Sequence, residues 1–469
     1  MEVHELDAAV LARFDRFVAP LLRRLETGYH RTLAREYALG LLGPGERKTV
    51  EPIVRRLRGG ESPARERDTR EMLNDDWSHG PMMWSAAEHL LTQMDGFRAW
   101  TVDDTAILKQ GEHSVGVANQ YAGCIGGLAR CQVLVTVGLA QDEFSTPCAA
   151  QLFLPEKWDV DAKRRAECHV PSRVKHTPKW QLALRMLDEI EVRDLPRLPV
   201  LADAGYGEVG EFRRGLERRG LHYVVAVPST TTFVRAELSF SAPPPPTGKA
   251  GRPSTRLRAA GSVEPMDVAK VAGTIAAASF REVTWRMGSK GEQRGRFAAV
   301  RVRPARGIRG GAAREEDLQL VQWLLMHWPE GEKRPTKAWL SNLPENTPLE
   351  ALVGYARLRW RVERDYREGK ALVGLDHFEG RTWHGLHHHA ALVVISQMFV
   401  ALERWRAMRE QAEEHKQALQ ALFPPSAATR RAIATREARE LRAEQLRDRQ
   451  TASRRHRAKR DAVLPDMRA

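Results

Sequence analysis

The sequence predicts an α/β fold, a mixed sheet flanked by helices, on two observations. Three short runs rich in β-branched and apolar residues, AWTVDDTAI (99–107), CQVLVTVGLA (131–140) and PCAAQLFLP (147–155), follow one another between turn residues, the spacing of consecutive strands. Behind them the period alternates: helical spacing over 177–191 and 208–219 brackets the strand-like runs LPVLADAG and HYVVAVP (222–228), the pattern of strands joined by helical crossovers.

Ahead of this core, residues 5–40 and 82–95 space their apolar side chains for helices, around a loop carrying the turn-rich pieces GPGER and RGGESPARERD. Residues 1–95 therefore read as a small, helical, basic DNA-binding front domain. The core proper begins at 96 and its first part runs to 228. Then come the linker SAPPPPTGKAGRPST (241–255) and the pieces FAAVRVRPA, LQLVQWLLMHW and KAWLSNL between Gly-rich turns, so 229–336 reads as a β-rich insertion. Residues 337–402 return to the core with a late helix bearing Glu363. From Arg404 onward the chain holds 17 Lys and Arg against 9 Asp and Glu, and 403–469 reads as a basic tail, helix passing into a flexible arm. Three strands, then helix, strand, helix, strand and a late helix are in the order of a ribonuclease-H-like core.

The chain of 469 residues carries a net charge of +14, which calls for a polyanionic partner, nucleic acid or a membrane surface. The most apolar run, AALVVISQMFVAL (390–402), is too short to span a bilayer and is interrupted by Gln397, so it reads as a buried core helix. MEVHELDAAV lacks the features of a signal peptide, and a cytoplasmic, nucleoid-associated setting is expected. Cys124, Cys131, Cys148 and Cys168 form no CxxC pair and are expected to be reduced. The absence of GxxxxGK[ST] and HExxH argues against a P-loop ATPase and a zincin.

Chemistry is then left to acids. In such a core Asp103 on the first strand, Asp203 at the end of the fourth and Glu363 on the late helix meet at one edge of the sheet. Clustered carboxylates repel, and a divalent cation with oxygen ligands relieves them; Mg²⁺ fits that set, with Mn²⁺ as a substitute. Two such ions about 3.5–4 Å apart can activate an attacking oxygen and stabilise the leaving oxygen of a phosphodiester. At about 3.6 residues per turn Arg359, Glu363, Tyr366 and Lys370 share one helix face, where Arg359 and Lys370 can neutralise phosphates. Lys48 in GERKTV and the GRPS of 251–254 read either as DNA backbone contacts or as solvated basic loops. Trp360 reads as a core aromatic. His384, His387, His388 and His389 lack a Cys partner and face different ways, so they read as DNA-side or helix-start packing rather than zinc ligands.

These residues resemble an insertion-sequence transposase of the DDE type, in the branch whose last acid lies in a Tyr, Arg, Glu, Lys signature. The resemblance is carried by TVDDT (101–105), LADAGYG (201–207) and RWRVERDYREGKALVGLDHFEGRTWHGLHHH (359–389) and covers roughly 70–400. Arg359 lies four residues before Glu363 and Lys370 seven after, as in that signature, but its tyrosine position holds Ala356, with Tyr355 out of phase. Strand neighbours face opposite sides, so one of Asp103 and Asp104 faces the metals, and the family's Asp-x-Thr spacing favours Asp103. The resemblance implies an enzyme that binds terminal inverted repeats in double-stranded DNA. It would hydrolyse strands with two metal ions held by Asp103, Asp203 and Glu363, and join the 3′ ends to target DNA as a homodimer, without a membrane. The alternative is an inactive descendant that only binds DNA.

Overall fold

The computed structural model describes residues 7–242, 256–288, 291–315 and 318–422; GRPS at 251–254 and the arm beyond 422 lie outside the described residues. Helices come first: α1 (Ala8–Leu22), α2 (Gly28–Leu42), α3 (Val50–Arg58), α4 (Pro63–Asn74) and α5 (His79–Gln93). Asp7 caps α1 by accepting from the Ala9 and Val10 N–H groups, and Thr27 caps α2 through the His30 N–H, both satisfying donors that a helix start leaves open.

The segment expected as a loop between 40 and 82 instead holds α3 and α4. Its turn signals are real, since GPGER separates α2 from α3 and Gly59, left-handed at φ 70°, ends α3. Between those breaks the apolar stripe is too sparse to read from sequence. Helix α4 buries only Thr69, Met72 and Leu73, and ion pairs of Glu36 with Arg58 and Arg65 join it and α3 to α2.

Next come the strands β1 (Ala99–Leu108), β2 (Ala118–Ala122), β3 (Gly127–Ala140) and β4 (Ser145–Phe153). Helices α6 (Lys157–Val160), α7 (Ala162–Glu167) and α8 (Lys179–Val192) lead to β5 (Val200–Ala202). Then follow α9 (Ala204–Gly207), α10 (Gly210–Arg218) and β6 (Tyr223–Val227). β3 pairs antiparallel with β1 on one side and with β2 and then β4 on the other, while β5 runs parallel to β1 and β6 parallel to β5. This mixed sheet between helices is consistent with a ribonuclease-H-like fold.

The region after β6 carries β7 (Phe233–Arg235), β8 (Phe240–Ser241), β9 (Leu257–Ala259), α11 (Val268–Gly273), β10 (Arg281–Gly288), β11 (Gly291–Pro304), β12 (Ala312–Ala313), β13 (Gln322–Trp328) and β14 (Lys337–Ser341). Its longer strands extend the central sheet. β14 pairs with β6, and the order β10-β11-β13-β14-β6-β5-β1-β3-β2, with β4 and β7 beside it, makes eleven strands among the described residues. β8, β9 and β12 form a small separate sheet.

Helices α12 (Leu349–Leu358), α13 (Arg361–Ala371) and α14 (Trp383–Leu422) close the described chain. Leu349, Leu352 and Val353 of α12 pack on Leu201, Val224, Leu325 and Trp339 of the sheet. Residues 1–402 form one unit and 403–469 a second, helical as far as it is described. The apolar run at 390–402 lies in a helix longer than the run itself. Trp383–Glu414 has the length and apolarity to cross a membrane, but 89% of its most apolar window is buried inside the protein.

The histidines of α14 tie the front helices to the sheet. His387 donates from Nδ1 to the Trp383 carbonyl (2.8 Å) and accepts the Leu152 N–H of β4 at Nε2 (3.2 Å). His389 accepts the Tyr37 hydroxyl of α2 at Nδ1 (2.9 Å) and donates from Nε2 to the Gly374 carbonyl (3.0 Å). One donor and one acceptor at each ring assign neutral tautomers, and His388 stacks on Trp77 at 3.6 Å. Burial pushes His387 and His389 down to about 4.

A sign for acid stability follows. Below the ordinary histidine value of 6.5 the unfolded chain charges these rings while the folded chain does not, so each withdraws about 1.4 kcal/mol per pH unit down to pH 4. His327, lowered to about 4, and His79, lowered to about 2, act the same way, whereas Asp103 and Asp365, pushed up to about 7 by burial, oppose them. The histidines outnumber the aspartates. Urea unfolding from pH 6.5 to 4 is expected to give falling stability, with a shallower fall in His389→Gln; a flat profile would mean that the rings are charged in the fold.

Candidate active site

The site is built on the register of two parallel strands. Trp100, Thr101 and Val102 of β1 pair with Val200, Leu201 and Ala202 of β5. Carried one residue further, the register brings Asp103 beside Asp203, the residue that follows β5 and caps α9. Asp203 caps α9, its Oδ1 accepting the Tyr206 N–H at 3.2 Å. Gly207 then meets β6 so closely that a Cβ there would strike the Ala226 carbonyl, which explains the small residue at the end of LADAGYG.

Alternation along β1 separates the two adjacent acids. Asp104 turns to α8 and pairs with Lys179 at 2.8 Å. Asp103 turns to the other face, is buried, and accepts from Arg359 Nη1 at 2.5 Å. Burial pushes its carboxyl up to about 7; Arg359 works against that rise and the charge of Asp203 adds to it. The two aspartates are thus close enough to repel.

Glu363 arrives on α13, one turn after Arg359. The Arg359 Nη2 lies 3.6 Å from Glu363 Oε1, so one guanidinium bridges Asp103 and Glu363, whose side chain is 66% exposed. The chain loosens at Arg359 and Trp360 between α12 and α13, yet the i,i+4 spacing survives. The rest of the stripe docks on the sheet. The Tyr366 hydroxyl meets Thr136 Oγ1 of β3 at 2.6 Å, and Lys370 Nζ donates to the Ala106 carbonyl of β1 at 2.7 Å. From behind, Gln397 of α14 donates to the Asp365 carbonyl at 3.0 Å.

Other expected residues sit elsewhere. Lys48 is a correction: only 3% exposed, it points its Nζ to the Gly43 carbonyl, and burial lowers it to about 8, so its charge serves the α2–α3 turn and not a DNA backbone. Trp360 is also corrected, since it is 39% exposed beneath the Arg286 guanidinium at 4.8 Å. Tyr355, out of phase with the signature, lies under Arg98 at 5.3 Å. Sequence reasoning missed Tyr206. Its hydroxyl is buried without a hydrogen-bond partner, and the charges of Asp104, Asp103 and Asp203 add to the burial that raises it well above the usual tyrosine value. A tyrosine three residues after a strand-end aspartate was the available signal.

The chemistry of the two aspartates fits a divalent cation. Asp103, raised by burial and by Asp203, and Asp203 itself offer oxygen donors of the kind a divalent cation takes, at a place where Arg359 now supplies the positive charge. As arranged, no group of three His, Cys, Asp or Glu among the described residues is placed to hold a metal; Glu363 is turned to Arg359. Residues 20–292, more than half of the chain, match the family described as DDE superfamily endonuclease. The matched stretch includes Asp103 and Asp203 and ends before Glu363. No curated protein matches the chain.

Asp203→Asn keeps the cap acceptor and removes the repulsion on Asp103. Without divalent metal it is expected to raise stability at pH 8 by on the order of 1 kcal/mol, and by less at pH 6, where Asp103 already carries its proton. Urea unfolding at both pH values checks this, and a variant no more stable at pH 8 would place the two carboxylates in separate environments.

Proposed function

The chain belongs to the DDE superfamily endonuclease family, and on that premise we propose that it is a DNA transposase, a nuclease that cuts at the inverted-repeat ends of an insertion sequence and joins them to target DNA. The observation that carries this reading is the meeting of three distant chain segments at one sheet edge: Asp103 from β1, Asp203 after β5, and Arg359 with Glu363 at the start of α13. A divalent cation such as Mg²⁺, held by Asp103 and Asp203 with Glu363, would supply the Lewis acidity that activates the attacking oxygen and stabilises the leaving one.

The chain's own residues supply the rest. Arg359 holds Asp103 and Glu363 in one charge network, and its planar guanidinium suits bidentate contact with a phosphodiester once those carboxylates are otherwise compensated. Lys370 and Tyr366 strap α13 to β1 and β3, which holds the Glu363 backbone against the sheet edge. A net charge of +14 draws DNA to the protein. Joining two element ends calls for two copies of the chain on the DNA, in a cytoplasmic, nucleoid-associated setting.

A second reading, a descendant that binds DNA without cutting it, is favoured by the exposure of Glu363 and its pairing with Arg359. Nicking of an end-bearing duplex in Mg²⁺ separates the two. The full chain is expected to nick, and Glu363→Gln to lose on the order of 100-fold or more in rate while keeping its DNA affinity. Equal nicking by both would remove Glu363 from the mechanism, and no nicking by either would leave the binder.

A further inference from the structure

A second cationic feature lies seven residues along the chain from Asp203. A cavity of about 310 Å³ is lined by Arg214, Arg256, Arg306, Arg309 and Arg314. Among the described residues that line it Glu211 is the one acid, which gives those residues a formal +4 from five arginines and one glutamate. Glu211 stands 3.5 Å from Arg214, and Arg306 reaches the Glu208 carbonyl at 3.4 Å. Like charges gathered around one hollow repel, and a bound anion reverses that cost.

Two further observations point to an oxyanion. The cavity takes in Gly210, the first residue of α10, whose N-cap Val209 has no side-chain acceptor; the Phe212 and Arg213 N–H groups turn back to the Val209 carbonyl, which leaves those of Gly210 and Glu211 without a cap side chain. Beside Gly210, the buried Gln319 gives its Oε1 to the Arg213 guanidinium, and its Nε2 finds no acceptor. A Cβ on Gly210 would lie 3.2 Å from that Nε2, 3.6 Å from Arg214 Nη1 and 3.8 Å from Arg213 Nη2. Three side-chain nitrogens therefore gather around the Gly210 position. GYGEVG (205–210) also has the GxGxxG spacing, between a strand and a helix. That spacing is weak alone, but here it ends at the arginine cavity.

We propose that this cavity is a second phosphate-binding site, apart from the acids, and that it grips a backbone phosphate of a DNA strand. Arg306, Arg309 and Arg314 are exposed, which suits a polymer passing the opening better than an enclosed small molecule. Arg213 donates to the Gly207 carbonyl as well as to Gln319, so the segment that leads from Asp203 to the cavity is braced, and a strand held there would be registered against the acid site. The phosphate site stands on its own geometry; its assignment to DNA rests on the transposase reading.

The test uses the full chain and the double variant Arg306→Gln/Arg309→Gln, with Arg306→Lys/Arg309→Lys as the charge-keeping control. Fluorescence anisotropy with a short duplex, titrated with salt, reads the slope of log affinity against log salt, and thermal shift with inorganic phosphate reads the small anion. The Gln pair is expected to lower the slope by about 2 and weaken DNA binding uniformly across sequences, to lose the phosphate-dependent shift, and to melt as wild type in its absence; the Lys pair keeps the slope. An unchanged slope with the phosphate shift lost would overturn the DNA assignment in favour of a free phosphorylated ligand. Unchanged slope and shift together would overturn the site. A variant that nicks DNA but keeps its slope rejects the DNA assignment of this cavity alone, whereas a wild-type chain that binds no DNA rejects the parent reading; in both cases the phosphate arm decides the cavity itself.

Discussion

The burial of Asp103 beside Asp203 is the constraint around which the centre of this protein is organised. It follows from backbone geometry, because parallel pairing of β1 with β5 brings Asp203, just past the end of β5, beside Asp103. Parallel pairing in turn requires a crossover, and α8 with its connections provides it. A buried acid next to a second carboxylate costs stability unless positive charge stands beside it. Here Arg359 supplies that charge from a segment more than two hundred residues away, so the late helix is held to the sheet by an ion pair at its start and by hydrogen bonds further along.

Those hydrogen bonds explain how an extremely polar helix is kept in place. α13 buries only Arg361, Val362, Asp365 and Gly369, too little apolar surface to dock it firmly. Tyr366 on Thr136, Lys370 on the Ala106 carbonyl and Gln397 on the Asp365 carbonyl replace the missing burial. Gln397, which interrupts the apolar run of α14, is the residue that ties that core helix to the helix bearing Glu363. A polar residue inside a hydrophobic segment is here a fastening.

The front helices belong to the same packed unit as the sheet. Phe14 and Phe17 of α1 pack on Phe399 of α14, and Tyr37 and Trp77 meet His389 and His388. The consecutive histidines point three ways from one helix, and each finds a different neighbour. The strands after β6 likewise join the central sheet through β14, which brings β11 and the arginine-lined loop beyond it onto the scaffold that holds the acids.

Much was legible in the residue order alone. The runs AWTVDDTAI, CQVLVTVGLA and HYVVAVP mark strands because β-branched and apolar side chains suit strands buried inside a sheet, and the helices between them follow from their period. The position of Asp203 at a strand end and the Arg359–Glu363 spacing are equally local facts. Contacts between distant segments were not legible. That Lys48 turns inward, that Trp360 lies outside under an arginine, that α3 and α4 fold where charge and turns suggested a loop, and that three side-chain nitrogens gather around Gly210 all depend on neighbours far away in the chain. Local sequence sets the period and polarity of each element, but register, burial and the pairing of charges are decided only when the elements meet.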